Sequence, residues 1–279
     1  LDLAGDDPRL IIWAGKARLA LSVLPPSDFP LMPVDAMATR FSIGPTDLAR
    51  LIDRTRFAIS TEETRYYLNG IYLHTIDVMG HSMLRAVATD GHRLARVETD
   101  APQGSGGMPG VIVPRKAVNE IIKLVESGAD QVQIELSATK IRLTFGEVVL
   151  TSKLIDGTFP DYQRVIPMAN DKLLTVDKAE FTAAVDRVST ISSERSRAVK
   201  MTLADHKLTL SVVNPDSGSA TEEIEVDYDQ GALEIGFNAR YLMDICAELD
   251  SDTALLKLAD SGSPTLIQDR EGASALYVL

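Results

Sequence analysis

"SIGPTDLARLIDRTRFAIS" (Ser42–Ser60) returns later in the chain as "TVDKAEFTAAVDRVSTISS" (Thr175–Ser193), at a constant offset of 133 residues. Ile43 meets Val176, Asp47 meets Glu180, Leu48 meets Phe181, Ile52 meets Val185, and Asp53-Arg54 meets Asp186-Arg187. Apolar residues three and four apart predict, in each copy, a short strand running into an amphipathic helix. Thr46 or Asp47 is a candidate cap for the first helix, with Pro45 near its first turn. The match continues: "PRKAVNEIIKLV" (Pro114–Val125) pairs with "NARYLMDICAEL" (Asn238–Leu249), and alternating strands follow each. One unit is therefore helix, strands, helix, strands, and it occurs twice.

"DPRLIIWAGKARLALSVLPPSDFP" (Asp7–Pro30) resembles Gln131–Pro160, paired strands closing on "DFP" or "TFPDY". Residues 1–40 thus read as the tail of an earlier copy whose helices are absent, with further units at 41–165 and 166–279. The 279 residues carry 45% hydrophobic side chains and a net charge of −12, which fits a globular protein without a generally basic coat. A single cysteine, Cys246, permits no intrachain disulfide and suggests a reducing compartment. No signal peptide or membrane-length apolar run is visible, so the expected location is the cytoplasm.

"VATDGHRLARVE" (Val87–Glu98) looks catalytic at first, with Asp90 beside His92. Asp-Gly between alternating runs is, however, a hairpin signal, predicting a two-residue type I′ turn in which Thr89 faces His92, Ala88 faces Arg93 and Val87 faces Leu94. Leu84, Ala86, Ala88, Ala95 and Val97 would then share a face that packs under a helix. No nucleophile elbow, Gly-rich phosphate loop or metal-binding helix is present, and His74, His81 and His206 lack ligand spacing. The expectation is no catalytic residue, no metal and no cofactor.

"ATDGHRLA", with "RYYLNGIYL" (Arg65–Leu73), "VPRKAV" (Val113–Val118), "TFPDYQRVIP" (Thr158–Pro167) and "YVL" (Tyr277–Leu279), closely resembles the bacterial DNA polymerase III beta subunit family, the replicative sliding clamps. The resemblance covers essentially the whole chain. It implies an α+β clamp fold in which each domain has two helix-plus-antiparallel-sheet halves, helices lining a ring and sheets outside. Two protomers of three domains each would close head-to-tail around duplex DNA without reading its sequence. Here most of the first domain is expected to be missing.

The helices at 45–56, 114–126, 178–188 and 238–249 hold nine basic and eight acidic residues, which on charge alone reads as solvated faces. The resemblance instead implies a DNA-facing lining, for which the candidates are Arg50, Arg54, Arg65, Arg115, Lys116, Lys123, Arg187 and Arg240. Tyr66 and Tyr67 either brush DNA or pack within their own fold. The resemblance further implies a groove between the second and third domains for short peptides of the polymerase alpha subunit, the clamp loader and repair proteins. Its matching positions are Leu68, Thr89, Gly91, His92, Arg93, Leu94, Pro160, Arg164, Val165, Asn238, Tyr241, Val278 and Leu279. Leu68, Leu94, Pro160, Val165 and Val278 would form an apolar slot, polar neighbours would supply hydrogen bonds, and Gly91 would admit a peptide close to the backbone. The family continues past "YVL" for a few residues that wall this groove. Ile191, Glu222, Glu223 and Glu225 would lie at the dimer interface.

Overall fold

The structure is a computed structural model and describes residues 2–3, 9–29, 36–126, 128–193 and 197–279. The chain divides into two units, Leu1–Ala36 and Met37–Leu279. The first holds an antiparallel sheet of β1 (Asp2–Leu3), β2 (Arg9–Ala14) and β3 (Ala17–Ser22) in that order. Residues 1, 4–8 and 30–35, which the remnant reading of 1–40 also covers, lie outside the described residues.

The second unit repeats ten elements. Its first copy runs β4 (Thr39–Ile43), α1 (Pro45–Arg56), β5 (Gly70–Val78), β6 (His81–Thr89), β7 (Leu94–Asp100), β8 (Val111–Pro114), α2 (Arg115–Val125), β9 (Val132–Leu136), β10 (Lys140–Phe145) and β11 (Val148–Lys153). The second copy runs β12 (Lys172–Asp177), α3 (Lys178–Ser189), β13 (Ala198–Ala204), β14 (Lys207–Asn214), β15 (Gly218–Glu225), β16 (Leu233–Asn238), α4 (Ala239–Ala247), β17 (Thr253–Leu258), β18 (Leu266–Gln268) and β19 (Ala275–Val278). Strand order repeats as well: β8-β5-β6-β7 matches β16-β13-β14-β15, and β4-β9-β10-β11 matches β12-β17-β18-β19.

The helices form where the apolar spacing puts one stripe against a sheet. α1 buries Leu48, Leu51, Ile52 and Thr55; α3 buries Phe181, Ala184, Val185 and Val188, the same positions 133 residues on. α1 packs on α2 and α3 on α4, each pair over its sheets. The cap of α1 differs from the sequence expectation. Pro45 takes the first helical position, so Gly44 becomes the cap, and Asp47 lies inside the first turn with no side-chain capping bond formed. α3 is capped by the Asp177 carboxylate, which accepts from the Glu180 N–H at 2.8 Å.

β19 pairs antiparallel with β7, Val278 opposite Leu94 and Ala275 opposite Val97, fusing two four-stranded sheets into one of eight. The two copies are thus joined by continuous backbone hydrogen bonding. On the inner face Leu84, Ala86, Ala88, Ala95 and Val97 enter the main core, as their alternation predicts. On the outer face Leu68, Val87, Leu94, Ile112, Phe159, Tyr162, Leu266, Leu276 and Val278 form a second, smaller apolar cluster.

A candidate peptide groove and nucleic-acid interface

The tip between β6 and β7 is a four-residue loop, not the two-residue turn expected. The register places Thr89 opposite Leu94, Ala88 opposite Ala95 and Val87 opposite Arg96, two residues from the predicted pairing. A slip of two preserves which face each side chain occupies, so Leu84, Ala86, Ala88, Ala95 and Val97 still share the inner face. The cause is the Asp90 side chain. Its Oδ1 accepts from the N–H of His92 at 2.9 Å and of Arg93 at 3.0 Å, drawing both residues into the loop. Thr89 Oγ1 donates to the Arg93 carbonyl at 2.7 Å and accepts from the Gly91 N–H at 3.1 Å. Gly91 adopts φ +88°, and a Cβ there would run into the Arg65 guanidinium. The space over Gly91, expected to be open to a peptide, is therefore filled by Arg65, which Glu62 holds by an ion pair of 2.8 Å.

The carboxylate of Asp90 faces backbone and Arg93 rather than the His92 ring, so the catalytic look of this stretch has no geometric basis. The exposed His92 ring instead stacks on Tyr241 of α4, centroids 6.3 Å apart. Arg93, expected to face a peptide, turns inward. Its Nε donates to Asp90 at 3.1 Å, Nη1 to Asp244 at 2.5 Å and Nη2 to the Phe57 carbonyl at 2.9 Å. Its guanidinium also lies over the Tyr241 and Phe57 rings at 4.5 and 5.0 Å. One side chain thus fastens the hairpin to the end of α1 and to α4.

Leu68, Leu94 and Val278 come together as the floor of the seam between the copies, all buried. Pro160 and Arg164 are exposed beside it, and Val165 is 50% exposed. Arg164 pairs with Asp161 at 2.8 Å. The Asn238 side-chain amide oxygen (Oδ1) is taken up capping α4, accepting from Arg240 and Tyr241 N–H at 3.0 and 3.4 Å. Leu279 exchanges both backbone hydrogen bonds with Thr265. Sequence reading missed Val87, Ile112, Phe159, Tyr162, Leu266 and Leu276 in this cluster. Phe159 and Tyr162 sit inside the quoted "TFPDYQRVIP", where their aromatic type was the available signal.

The cations expected to face DNA divide into two sets. Arg50 donates to the Glu98 carbonyl at 3.4 Å and to Ser274 Oγ at 2.6 Å, while Arg54 reaches Glu248 and Asp250. Through Ser274, and through Glu248 and Asp250 just after α4, these two arginines of α1 grip the second copy, whereas the Glu98 carbonyl lies in the first. Lys123 pairs with Glu120, and Arg187 with Glu222 at 2.5–3.0 Å, which holds the Glu222 carboxyl below its ordinary range. Arg115 and Lys116 are exposed and have no side-chain partner among the described residues, and Arg240 lies 3.9 Å from Asp244. Tyr66 is half exposed and meets Tyr67 edge-on, while Tyr67 packs against the outer cluster.

At the far end, β15 is an edge strand carrying Glu222, Glu223 and Glu225. Glu223 is paired with Lys207 at 2.7 Å. Ile191 is partly buried against the core, and its carbonyl accepts from Asn214 Nδ2 at 2.8 Å. Among the described residues no cluster of metal-ligating side chains occurs.

The models for the central and C-terminal domains of the DNA polymerase III beta subunit match residues 42–161 and 163–279. The beta sliding clamp of Caulobacter vibrioides strain NA1000 is 54% identical over 279 residues, all of this chain and 75% of that protein. That of Escherichia coli K12 is 35% identical over 271 residues, 97% of this chain and 73% of that protein. Among solved structures, a Bartonella birtlesii sliding clamp bound to griselimycin superposes with a TM-score of 0.94 at 53% identity, covering 98% of this chain and 74% of that one. A Caulobacter crescentus clamp with polyethylene glycol at a proposed beta-motif tethering region gives 0.94 at 54%, with the same coverage.

The repeated helix pairs and strand-joined halves are those of the DNA clamps. Within that class, this chain belongs to the bacterial DNA polymerase III beta subunit family, the beta sliding clamps. Its work is that of a processivity factor in DNA replication, and it is not an enzyme.

Proposed function

We propose that the protein acts in the bacterial cytoplasm as a ring-shaped homodimer around duplex DNA, gathered with the nucleoid during replication. In this reading residues 41–165 and 166–279 are the second and third clamp domains, and residues 1–40 are the end of the first. The seam between the second and third domains receives short peptides from the polymerase alpha subunit, the clamp loader and repair proteins. The observation that carries the peptide reading is the apolar cluster at the β7–β19 union, where Leu94 and Val278 pair and Leu68 joins them, with exposed Pro160 and Val165 flanking its members Phe159 and Tyr162 in sequence. An apolar floor with a polar rim suits anchoring side chains on an extended peptide. Arg115, Lys116 and Arg240 are the cations best placed for weak phosphate contact, which lets a ring slide without reading bases.

The dimer reading follows from the repeat. β15 is the counterpart of β7, and the edge of β7 is taken by β19, the counterpart of β11. The hairpin β2–β3 matches β10–β11 in its turn, Gly15 and Gly146 both at φ +59°, and all six residues of β3 are exposed. β3 of a second copy is then the strand expected on β15, with Arg18 beside the glutamates.

The peptide reading is tested by Val165→Glu, which changes an exposed rim residue and should leave the thermal midpoint unchanged. A synthetic peptide of the polymerase alpha subunit's C-terminal tail should bind about tenfold more weakly by calorimetry, one apolar anchor contact being worth roughly 1–3 kcal/mol. Unaltered affinity would remove this rim from the site.

A further inference from the structure

Beneath the rim lies a charged row that encircling DNA does not require. His74, Arg85 and Glu98 stand directly opposite one another across β5, β6 and β7. Arg85 donates to Glu98 Oε2 from Nε at 2.8 Å and from Nη2 at 2.6 Å, and from Nη1 to the Tyr162 hydroxyl at 2.9 Å. That hydroxyl is 3.0 Å from His74 Nε2, and His74 Nδ1 is 3.3 Å from the Thr75 carbonyl. The proton positions follow from chemistry. A carbonyl only accepts, so Nδ1 carries the hydrogen and Nε2 is the acceptor. Tyr162 therefore donates to His74 and accepts from Arg85, a chain in which every member is satisfied. Burial pushes the His74 pKa down, which agrees with a neutral ring.

The segment held by this chain is the one that bears the rim. Tyr162 is the only buried residue of the 3₁₀ turn Tyr162–Val165. Phe159 stacks on Tyr72 at 4.9 Å, nearly parallel, and Tyr72 stacks on His74 at 4.6 Å. Pro160, Arg164 and Val165, all exposed, take their positions from these two buried rings. A buried charged row is a poor source of stability, since well-packed apolar residues of similar volume commonly serve as well or better. What it supplies is a unique arrangement: the Phe159 ring could slide on Tyr72, whereas a hydroxyl between two fixed partners cannot.

We propose that Tyr162, with Arg85 and His74, forms a latch of positioning residues that holds the Pro160–Val165 rim in its peptide-binding place. The inference rests on the groove reading above. Without the latch the rim samples other positions, and apparent affinity falls by the fraction of time it is in place.

The test uses Tyr162→Phe, and in parallel His74→Phe, in the full-length dimer, with the polymerase alpha tail peptide as probe. Both variants should bind about five- to tenfold more weakly, as a competent fraction of about 0.1–0.2 implies. In Tyr162→Phe the ¹⁵N signals of His74 should move from a fixed Nδ1–H form toward a mixture of tautomers, a change that loss of packing alone would not produce. Val165→Glu separates the two ideas. If it leaves binding unchanged, the groove reading fails. If it weakens binding while both latch variants bind normally, or if the His74 signals do not move in Tyr162→Phe, the latch is overturned.

Discussion

Arg93 shows how far a residue's role can depart from its neighbours' appearance. In sequence it belongs to "DGHR", a row that suggests catalysis or ligand contact. In the structure its three nitrogens reach Asp90, Asp244 and the Phe57 carbonyl, tying three elements. Arg93→Ala leaves the Phe57 carbonyl and Asp244 without this partner. It should lower unfolding stability by about 2–3 kcal/mol, hydrogen bonds to charged groups being worth about 1.5–3. A urea titration checks this, and a change under 0.5 kcal/mol would show the contacts to be incidental. Asp90 and Gly91 were legible as turn residues because their chemistry is local. The inward course of Arg93 was not, since Asp244 lies 151 residues away and nothing near Arg93 announces it.

At the scale of elements, the helices were legible nearly to the residue, because burial at positions such as Leu48, Leu51, Ile52 and Thr55 writes a helical period into the sequence. Turn type was harder to read. Asp90-Gly91 suggested the I′ turn, yet such turns occur at Met79-Gly80, φ 53° and 85°, and at Asp205-His206, φ 50° and 62°. The side-chain bonds of Asp90 outweighed the dipeptide preference. The β7–β19 pairing was not legible either, since an inter-copy edge pairing leaves no local period. The row beneath the groove makes an element-scale prediction. Arg85, Tyr72 and Tyr162 face His74, with Glu98 and Arg96 beyond Arg85, and burial depresses the His74 pKa below 6.5. The unfolded chain therefore binds the proton more readily, so stability is full above pH about 6.5 and declines as pH falls below it. The urea midpoint should drop between pH 7.5 and 5.5, and His74→Phe should flatten that drop. An equal drop in the variant would assign it to other groups.

For the whole molecule, the repeat states most of the architecture, and charge says less than expected. Arg50 and Arg54 bind the two copies together, leaving Arg115, Lys116 and Arg240 as the freer cations of the four helices. Replacing Arg115 and Lys116 by Gln should make log affinity for duplex DNA less dependent on log salt by about two units of slope, one for each lost phosphate contact. An unchanged slope would place the lining elsewhere. The central claim concerns topology, and retention on DNA tests it most directly. The polypeptide, taken at the length of its curated relatives, of which this chain spans 75%, is loaded onto a nicked circular plasmid. The expected result is that it stays bound while the circle is closed and leaves when a single cut linearises it. Equal retention on circular and linear DNA would contradict the account.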